Sequence, residues 1–317
     1  MNDAKETICG TVALMGRPNV GKSTILNAFL GQKIAATTHK PQTTQRRLRG
    51  IHTKGDTQVI FVDTPGLHTP QRGIHDYMVS QAIDGARDVD LRILVVEAWL
   101  SKDENGNVKA AIDYRDQKVL TQLKEAGLRH HNMIMAVNKI DRLPDRAAIL
   151  PMIKAWGEET DFGAYIPVSA VKGDGLDVLW DALRDRLPKG PFLFPEDMMT
   201  DASEKDIARE LIREKAMLEL KQELVYRVAV EIEVFDESRR DDPRKPLVHI
   251  EAVLHVESDS HKRMVIGKQG VRIKEIGRRA RMELQSLLGC QVMLKLFVRV
   301  EPKWSQTEKG IRKVGYK

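Results

Sequence analysis

Gly16-Arg17-Pro18-Asn19-Val20-Gly21-Lys22-Ser23 follows the spacing G-x-x-x-x-G-K-[ST]. Glycines let a run of backbone N–H groups face one concavity, and the residues closing the run, Lys22 and Ser23, add a cation and a hard oxygen ligand for Mg²⁺. Such a loop holds nucleotide phosphates, with Gly16, Asn19, Val20, Gly21 and Thr24 completing its wall. Some 40 residues further on, Asp63-Thr64-Pro65-Gly66 ends an apolar run. A carboxylate there is placed to hold Mg²⁺ through water, and Gly66 can offer its N–H to a γ-phosphate. Asn138-Lys139-Ile140-Asp141 suits a guanine base. Asp141 can accept from ring N1–H and the exocyclic amine while Lys139 lays its stem over the ring, and adenine has no such pair of adjacent donors. The backbone N–H groups of Ser169 and Ala170 are placed to meet guanine O6.

The elements that must position these groups are legible from periodicity. Thr11 to Met15 reads as a buried strand and Ser23 to Leu30 as a helix, so the phosphates face a helix N-terminus. Gly31 to Gln45 has no hydrophobic period and is read as a loop containing Thr37, Thr38, Thr43 and Thr44. Strands at 48–52 and 57–62 flank the turn Lys54-Gly55-Asp56, a hairpin signal. Apolar strands at 93–96, 133–137 and 165–168 alternate with helical material at about 75–86 and 116–126. Strand alternating with helix predicts an α/β fold, a doubly wound and mostly parallel sheet, with every motif at the carboxyl end of a strand, where such sheets bind ligands.

At 317 residues and 42% hydrophobic content the chain can bury two cores. No apolar stretch approaches the ~18 residues of a membrane span, and Met1 to Glu6 lacks the core of a signal peptide, so a cytoplasmic location is expected. Cys9 and Cys290 fall in different predicted domains and read as reduced structural thiols. The formal charge of +6 is unevenly spread. Residues 1–188 carry +2, residues 189–260 carry −7, and residues 261–317 carry +11. An acidic stretch followed by a strongly basic one is expected when one face meets a polyanion.

Leu187 to Pro195, with three prolines, ends the last helix of the first half. The expected division is a first domain over 1–188, a linker over 189–203, a second domain over 204–302 and a basic tail over 303–317, read as a mobile extension. In the second domain Ser203 caps a helix over 204–222, strands follow at about 225–235 and 247–257, and a basic segment leads into Gly267-Lys268-Gln269-Gly270. A helix over 271–288 and a strand over 291–300 close an α+β unit. Two glycines between short helices let the backbone approach nucleic-acid phosphates. Ile266, Lys268 and Gln269 lie at the turn, and Arg263, Arg272, Lys274 and Arg278 supply charge beside it.

These motifs resemble the translation-factor-related GTPases over about residues 8–188, and the second half resembles a type II KH domain. One such pair, in this order, is similar to the Era family of GTPases over nearly the whole chain. The resemblance implies that Lys22 contacts the β and γ phosphates, that Ser23 and Asp63 serve Mg²⁺, and that Asn138 and Asp141 recognise guanine. It implies Thr44 as the threonine on Mg²⁺ and γ-phosphate, with Thr43 adjacent and unseparated from it. Lys22, Thr44 and Gly66 would thus carry hydrolysis of GTP to GDP. Where many small GTPases have a water-positioning glutamine, this chain has Leu67 and then His68, so slow intrinsic turnover stimulated by a partner, RNA or K⁺ is expected. Asn19 resembles an asparagine that binds K⁺ in such relatives, which makes K⁺ activation a hypothesis. The resemblance further implies a monomer that binds the 3′ end of small-subunit rRNA, assists assembly of the 30S subunit, and associates peripherally with the inner membrane. Its switch loops would bias the KH domain through the 188–203 linker. An RNA chaperone that keeps GTP as a structural ligand is the alternative.

Overall fold

A computed structural model describes residues 6–38, 47–68, 73–102, 104, 108–109, 111–128, 133–220, 224 and 227–316. The described chain divides into two compact units, residues 6–35, 47–68 and 78–201 in the first and residues 36–38, 73–77 and 202–316 in the second. Among the described residues no helix is long and apolar enough to cross a membrane.

Through the first half the elements run β1 (Ile8–Met15), α1 (Lys22–Leu30), β2 (Leu48–Lys54), β3 (Thr57–Asp63), α2 (Ile74–Arg87) and β4 (Leu91–Glu97). A two-residue strand pair, β5 (Ser101–Lys102) and β6 (Val108–Lys109), precedes α3 (Tyr114–Glu125), β7 (Met133–Asn138), α4 (Leu150–Glu159), β8 (Ala164–Pro167) and α5 (Leu176–Arg184). The main sheet has the order β2-β3-β1-β4-β7-β8, and only β2 runs antiparallel to its neighbour. A strand covered on both faces is apolar along its middle, as Val59–Val62 of β3 are, and all seven residues of β3 are buried, the polar ones lying at its ends. On one side Leu94, Val96, Met135 and Val137 meet Val79 and Ala82 of α2, Leu120 and Leu123 of α3, and Trp156 of α4. Elsewhere Phe29 of α1 stacks on Phe61 at 5.0 Å and lies 6.2 Å from Trp180 of α5. The chain leaves β1 for neighbours on both sides, β3 and β4, which puts the Gly16–Ser23 loop at the point where the winding reverses.

The stretch expected as a linker is fastened to the first unit as far as residue 201. Buried Gln58, set in an apolar strand, accepts from the N–H groups of Leu193 and Phe194 at 3.0 Å each and donates to the Phe194 carbonyl at 2.9 Å. Met199 accepts from Ile51 N–H at 2.7 Å, and Phe192, Phe194 and Met198 pack on Cys9, Ile51 and Ile60.

The second unit comprises α6 (Glu204–Glu219), β9 (Ala229–Arg239), β10 (Leu247–Val256), α7 (Asp259–Ile266), α8 (Val271–Leu288), β11 (Gln291–Val300) and α9 (Glu308–Lys313). β10 is central, antiparallel to β9 and parallel to β11. Val248, Ile250, Ala252, Leu254 and Val256 alternate along β10 and are fully buried, as are Ile276, Ala280 and Leu284 on α8. Ser203 caps α6 as its sequence predicts, its hydroxyl accepting from Asp206 N–H at 3.1 Å. β9 starts later than the alternation suggested, because Arg227 N–H closes a turn on the Leu224 carbonyl.

The expectation of a mobile tail is corrected. Trp304 is fully buried, lies parallel to Tyr316 at 6.0 Å and donates its indole N–H to the Arg227 carbonyl at 3.4 Å. Thr307 caps α9 through Gly310 N–H, and Ile311 and Val314 are buried. Burial of Trp304, Ile311 and Val314 makes this end part of the core, which the count of basic residues concealed. Trp304→Ala should therefore destabilise the second unit by roughly 3–5 kcal/mol. Urea unfolding of the full chain followed by far-UV circular dichroism checks this, the expected result being an earlier transition for part of the helical signal.

Candidate functional site: a nucleotide cleft and a basic turn

The cleft is built where four strands end. β1 runs out at Met15 into the Gly16–Ser23 loop, β3 at Asp63, β7 at Asn138 and β8 just before Ser169. Gly16 has φ +138°, and a Cβ there would lie 2.2 Å from the Val95 carbonyl oxygen, so the loop can pass the sheet only as glycine. α1 opens at Gly21 with no side-chain cap, which leaves its first N–H groups for an anion. Lys22 is 6% exposed and its ammonium donates to the Gly16 and Arg17 carbonyls at 3.2 and 3.1 Å. Burial pushes its pKa down to about 8, against a partial offset from Asp63.

Ser23 and Asp63 are brought together, the hydroxyl donating to Asp63 Oδ2 at 2.6 Å. A hydroxyl and a carboxylate this close make an all-oxygen pair suited to a hard divalent cation, so the residues fit Mg²⁺. Thr64 anchors the β3 end by donating to the Leu14 carbonyl at 2.7 Å. Gly66 is pressed against the phosphate loop, its hypothetical Cβ only 2.6 Å from Pro18 N. Leu67 is 1% exposed within the core and gives its N–H to the Gly16 carbonyl at 3.0 Å. His68 turns its Nδ1 to the Gly66 carbonyl at 2.9 Å. Thr43 and Thr44 lie outside the described residues.

Asn138 is 2% exposed, and its amide is used within the protein. Nδ2 donates to the Val20 carbonyl at 2.8 Å, while Oδ1 accepts from Lys139 N–H at 2.8 Å and Ala170 N–H at 3.1 Å. Its first role is thus to join three loops, while Asp141 is left on the exposed side. The Ser169 hydroxyl donates to Asp141 at 2.6 Å, which lowers the carboxylate's pKa and keeps it an acceptor. The O6 expectation is modified accordingly. Ser169 N–H donates to the Asp174 carbonyl at 2.9 Å, so a base oxygen would share the Ala170 donor with Asn138. Lys139 stretches across the cleft with positive φ of 67° and donates to the Asn19 carbonyl at 2.6 Å and to Glu97 at 3.0 Å. Thr24, in the first turn of α1, is half-buried.

In the second unit the turn between α7 and α8 carries three left-handed φ values, Gly267 at 73°, Gln269 at 51° and Gly270 at 77°. A Cβ on Gly267 would stand 2.8 Å from Arg272 Cβ, whereas Gly270 faces open space. Arg263, Lys268 and Lys274 are exposed, and no ion pair engages them among the described residues. Ile266 is half-buried beside them. Arg272 instead donates to the Met264 carbonyl, bracing the turn. Arg278 is neutralised by Glu275 at 2.7 Å, whose carboxyl is lowered to about 2 by Arg278 and Arg279, so it is a paired cation and not a free one.

Sequence reasoning missed the carboxylates around the cleft, Glu97, Asp113 and Asp116. A cap signal at Asp113 was available, but a capping aspartate and a buried counter-ion look alike in sequence.

A phosphate loop, a Mg²⁺-ligand pair and a guanine motif at the carboxyl edge of a doubly wound sheet, followed by a G-x-x-G turn in an α/β unit, define a P-loop GTPase joined to a KH domain. Family models agree, "50S ribosome-binding GTPase" matching residues 11–139 and "KH domain" residues 219–305. The chain belongs to the Era family of GTPases: it is 40% identical over 317 residues to GTPase Era of Ectopseudomonas mendocina, covering 100% of this chain and 99% of that one. Identity to GTPase Era of Geobacter metallireducens is 41% over 307 residues, 97% of each chain. The Aquifex aeolicus Era structure bound to GDP and AlF₄⁻ is similar with a TM-score of 0.87 at 33% identity, covering 98% of this chain and 99% of that one. So is an Era structure with MgGDPNP and nucleotides 1506–1542 of 16S ribosomal RNA, at the same score, identity and coverage.

The Lys22 geometry has a pH signature. Its folded pKa of about 8 lies below the ordinary 10.5, so between these values the folded chain holds fewer protons than the unfolded chain and gains stability as pH rises. Phosphate oxygens favour the ammonium, so GDP binding should take up a proton in the same window, and affinity should fall as pH rises past about 8. Calorimetric titration in buffers of different ionisation enthalpy measures this, with uptake expected near pH 9 and little at pH 7.

Proposed function

We propose that this chain is a GTP-hydrolysing switch that binds the 3′ end of small-subunit rRNA through its KH unit and assists assembly of the 30S subunit. The observation that carries this reading is one chain holding both a phosphate loop joined to a guanine motif and a braced G-x-x-G turn flanked by cations that no ion pair engages among the described residues. Support comes from the related Era whose structure contains MgGDPNP and 16S rRNA nucleotides.

In the cleft, Lys22 leaves its two carbonyls for the β and γ phosphates, Gly66 offers its N–H to the γ-phosphate, and Asp141 fixes the base. Ser23, Asp63 and Thr44 would hold Mg²⁺, which when bound neutralises phosphate charge. Leu67 contributes packing and cannot orient water, so the attacking water is placed by other groups. K⁺ at Asn19 is one such aid. Phosphate release should then be at least several-fold faster in K⁺ than in Na⁺ at equal ionic strength, and equal turnover removes K⁺ from the mechanism.

For transmission we favour the segments beside Thr44 and Gly66 over the 188–203 linker. Residues 36–38 and 73–77 fold with the second unit, where Thr37 N–H donates to buried Glu214 at 2.9 Å. Residues 189–201, in contrast, are bonded within the first unit. Fluorescence anisotropy of an RNA carrying the 3′ tail of small-subunit rRNA tests the switch. Tighter binding with a non-hydrolysable GTP analogue than with GDP is expected. Equal affinity in both states, with negligible phosphate release on adding RNA or 30S subunits, would favour the RNA-chaperone reading.

A further inference from the structure

Glu97 closes β4 in register with Asn138 of β7, and the next residue, Ala98, donates its N–H to the Asn138 carbonyl at 2.7 Å. Its carboxylate therefore enters the cleft between the phosphate loop and the base motif. Lys139 Nζ lies 3.0 Å away, Arg142 3.2 Å and Arg17 3.8 Å. On its far side the Arg17 guanidinium meets Asp116 at 2.9 Å and Asp113 at 3.6 Å, both at the start of α3. Lys139 is also bonded to the Asn19 carbonyl at 2.6 Å. Residues 17 and 19 of one loop are thus both tied to Glu97, directly through Arg17 and indirectly through Lys139.

We propose that Glu97 is a positioning residue for nucleotide binding, holding Lys139 in the pose that covers the base and fixing the phosphate loop to it. The proposal rests on the reading of this cleft as a guanine-nucleotide site. Lysine has a long, flexible stem, and an ammonium fixed before the ligand arrives leaves less ordering to be done on binding. The pair is suited to this because the Glu97 side chain is only 24% exposed and that of Lys139 18%, so water screens it weakly. Arg142, at 66% exposure, adds little to the hold. The aspartates contribute by occupying Arg17. With Asp113 and Asp116 engaging that guanidinium more closely, Glu97 is left to Lys139.

The test is a double-mutant cycle on the full chain, read as the dissociation constant of fluorescently labelled GDP. Glu97→Gln should weaken binding by about tenfold, the scale of a charge-assisted hydrogen bond. In a Lys139→Ala background the same change should cost less than twofold, because the group that Glu97 acts through is gone. A residue that merely supported the fold would lose affinity equally in both backgrounds, and equal losses overturn the proposal. Glu97→Asp keeps the charge at the end of β4 and withdraws it by one methylene. It should lose at least twofold, while wild-type affinity in that variant would also overturn the proposal, whether or not Glu97→Gln folds. Failure of the unmodified chain to bind labelled GDP would instead sink the reading of the cleft itself, and the proposal with it.

Discussion

The side chain of Asn138 is the joint on which the nucleotide cleft depends. A buried amide must satisfy its donors and acceptor or pay desolvation, and this one does so by reaching Val20, Lys139 and Ala170, one residue in each of three loops. The loops leave the sheet from different strands and have no hydrogen-bond ladder of their own to hold them in common register. Gly21 follows from the same arrangement, since a Cβ there would stand 2.1 Å from Asn138 Nδ2. Removing the amide would leave the Val20 carbonyl and the Ala170 N–H unsatisfied in a dry site, a larger loss than the bonds themselves represent.

Around that joint the cleft is charged and yet internally balanced. Lys22 rests on loop carbonyls, Lys139 on Glu97, and Arg17 on Asp113 and Asp116. Burial lowers the pKa of both lysines, which is the electrostatic cost of holding cations ready in a nearly dry pocket. Asp116 shows the complementary effect, its carboxyl raised to about 6 because burial outweighs the attraction of Arg17. The cations are therefore preorganised, and a triphosphate would exchange only the carbonyl contacts of Lys22 for its own, leaving Lys139 and Arg17 on their carboxylates.

Local rules made the phosphate loop, the hairpin, the strand ends and the capped α6 readable. Glycine spacing, period-two alternation and a serine before a helix each act within a few residues. What escaped depends on partners far apart in sequence. Gln58 looks like a polar interruption in an apolar strand until residues 193 and 194 arrive to use it, which is why the 189–203 stretch reads as a linker in sequence. Trp304 and Tyr316 sit in a basic, glycine-containing tail, and only their stacking reveals a folded end. The carboxylates at 97, 113 and 116 belong to one cluster, but no spacing in the chain relates them. Asp141 stands out in sequence because guanine chemistry dictates its type, and the pairing of Arg278 with Glu275 one turn away on the same helix face adds a local partner to that cation.

The two units solve anion recognition in opposite ways, and the difference follows from their ligands. A nucleotide is compact, so its cleft can be concave, dry and built from a few groups held by hydrogen bonds at fixed distances. A single strand of RNA is extended and presents repeated phosphates, so the second unit offers an open glycine turn with exposed Arg263, Lys268 and Lys274 around it. Solvent ions screen the exposed set far more than the buried one. Nucleotide occupancy is thus set largely by buried geometry, while RNA affinity is set by surface charge and counterion release. A device that changes loop geometry at the first site while leaving the second site's charge untouched can regulate RNA binding only by changing which surfaces are presented, not how strongly each phosphate is attracted.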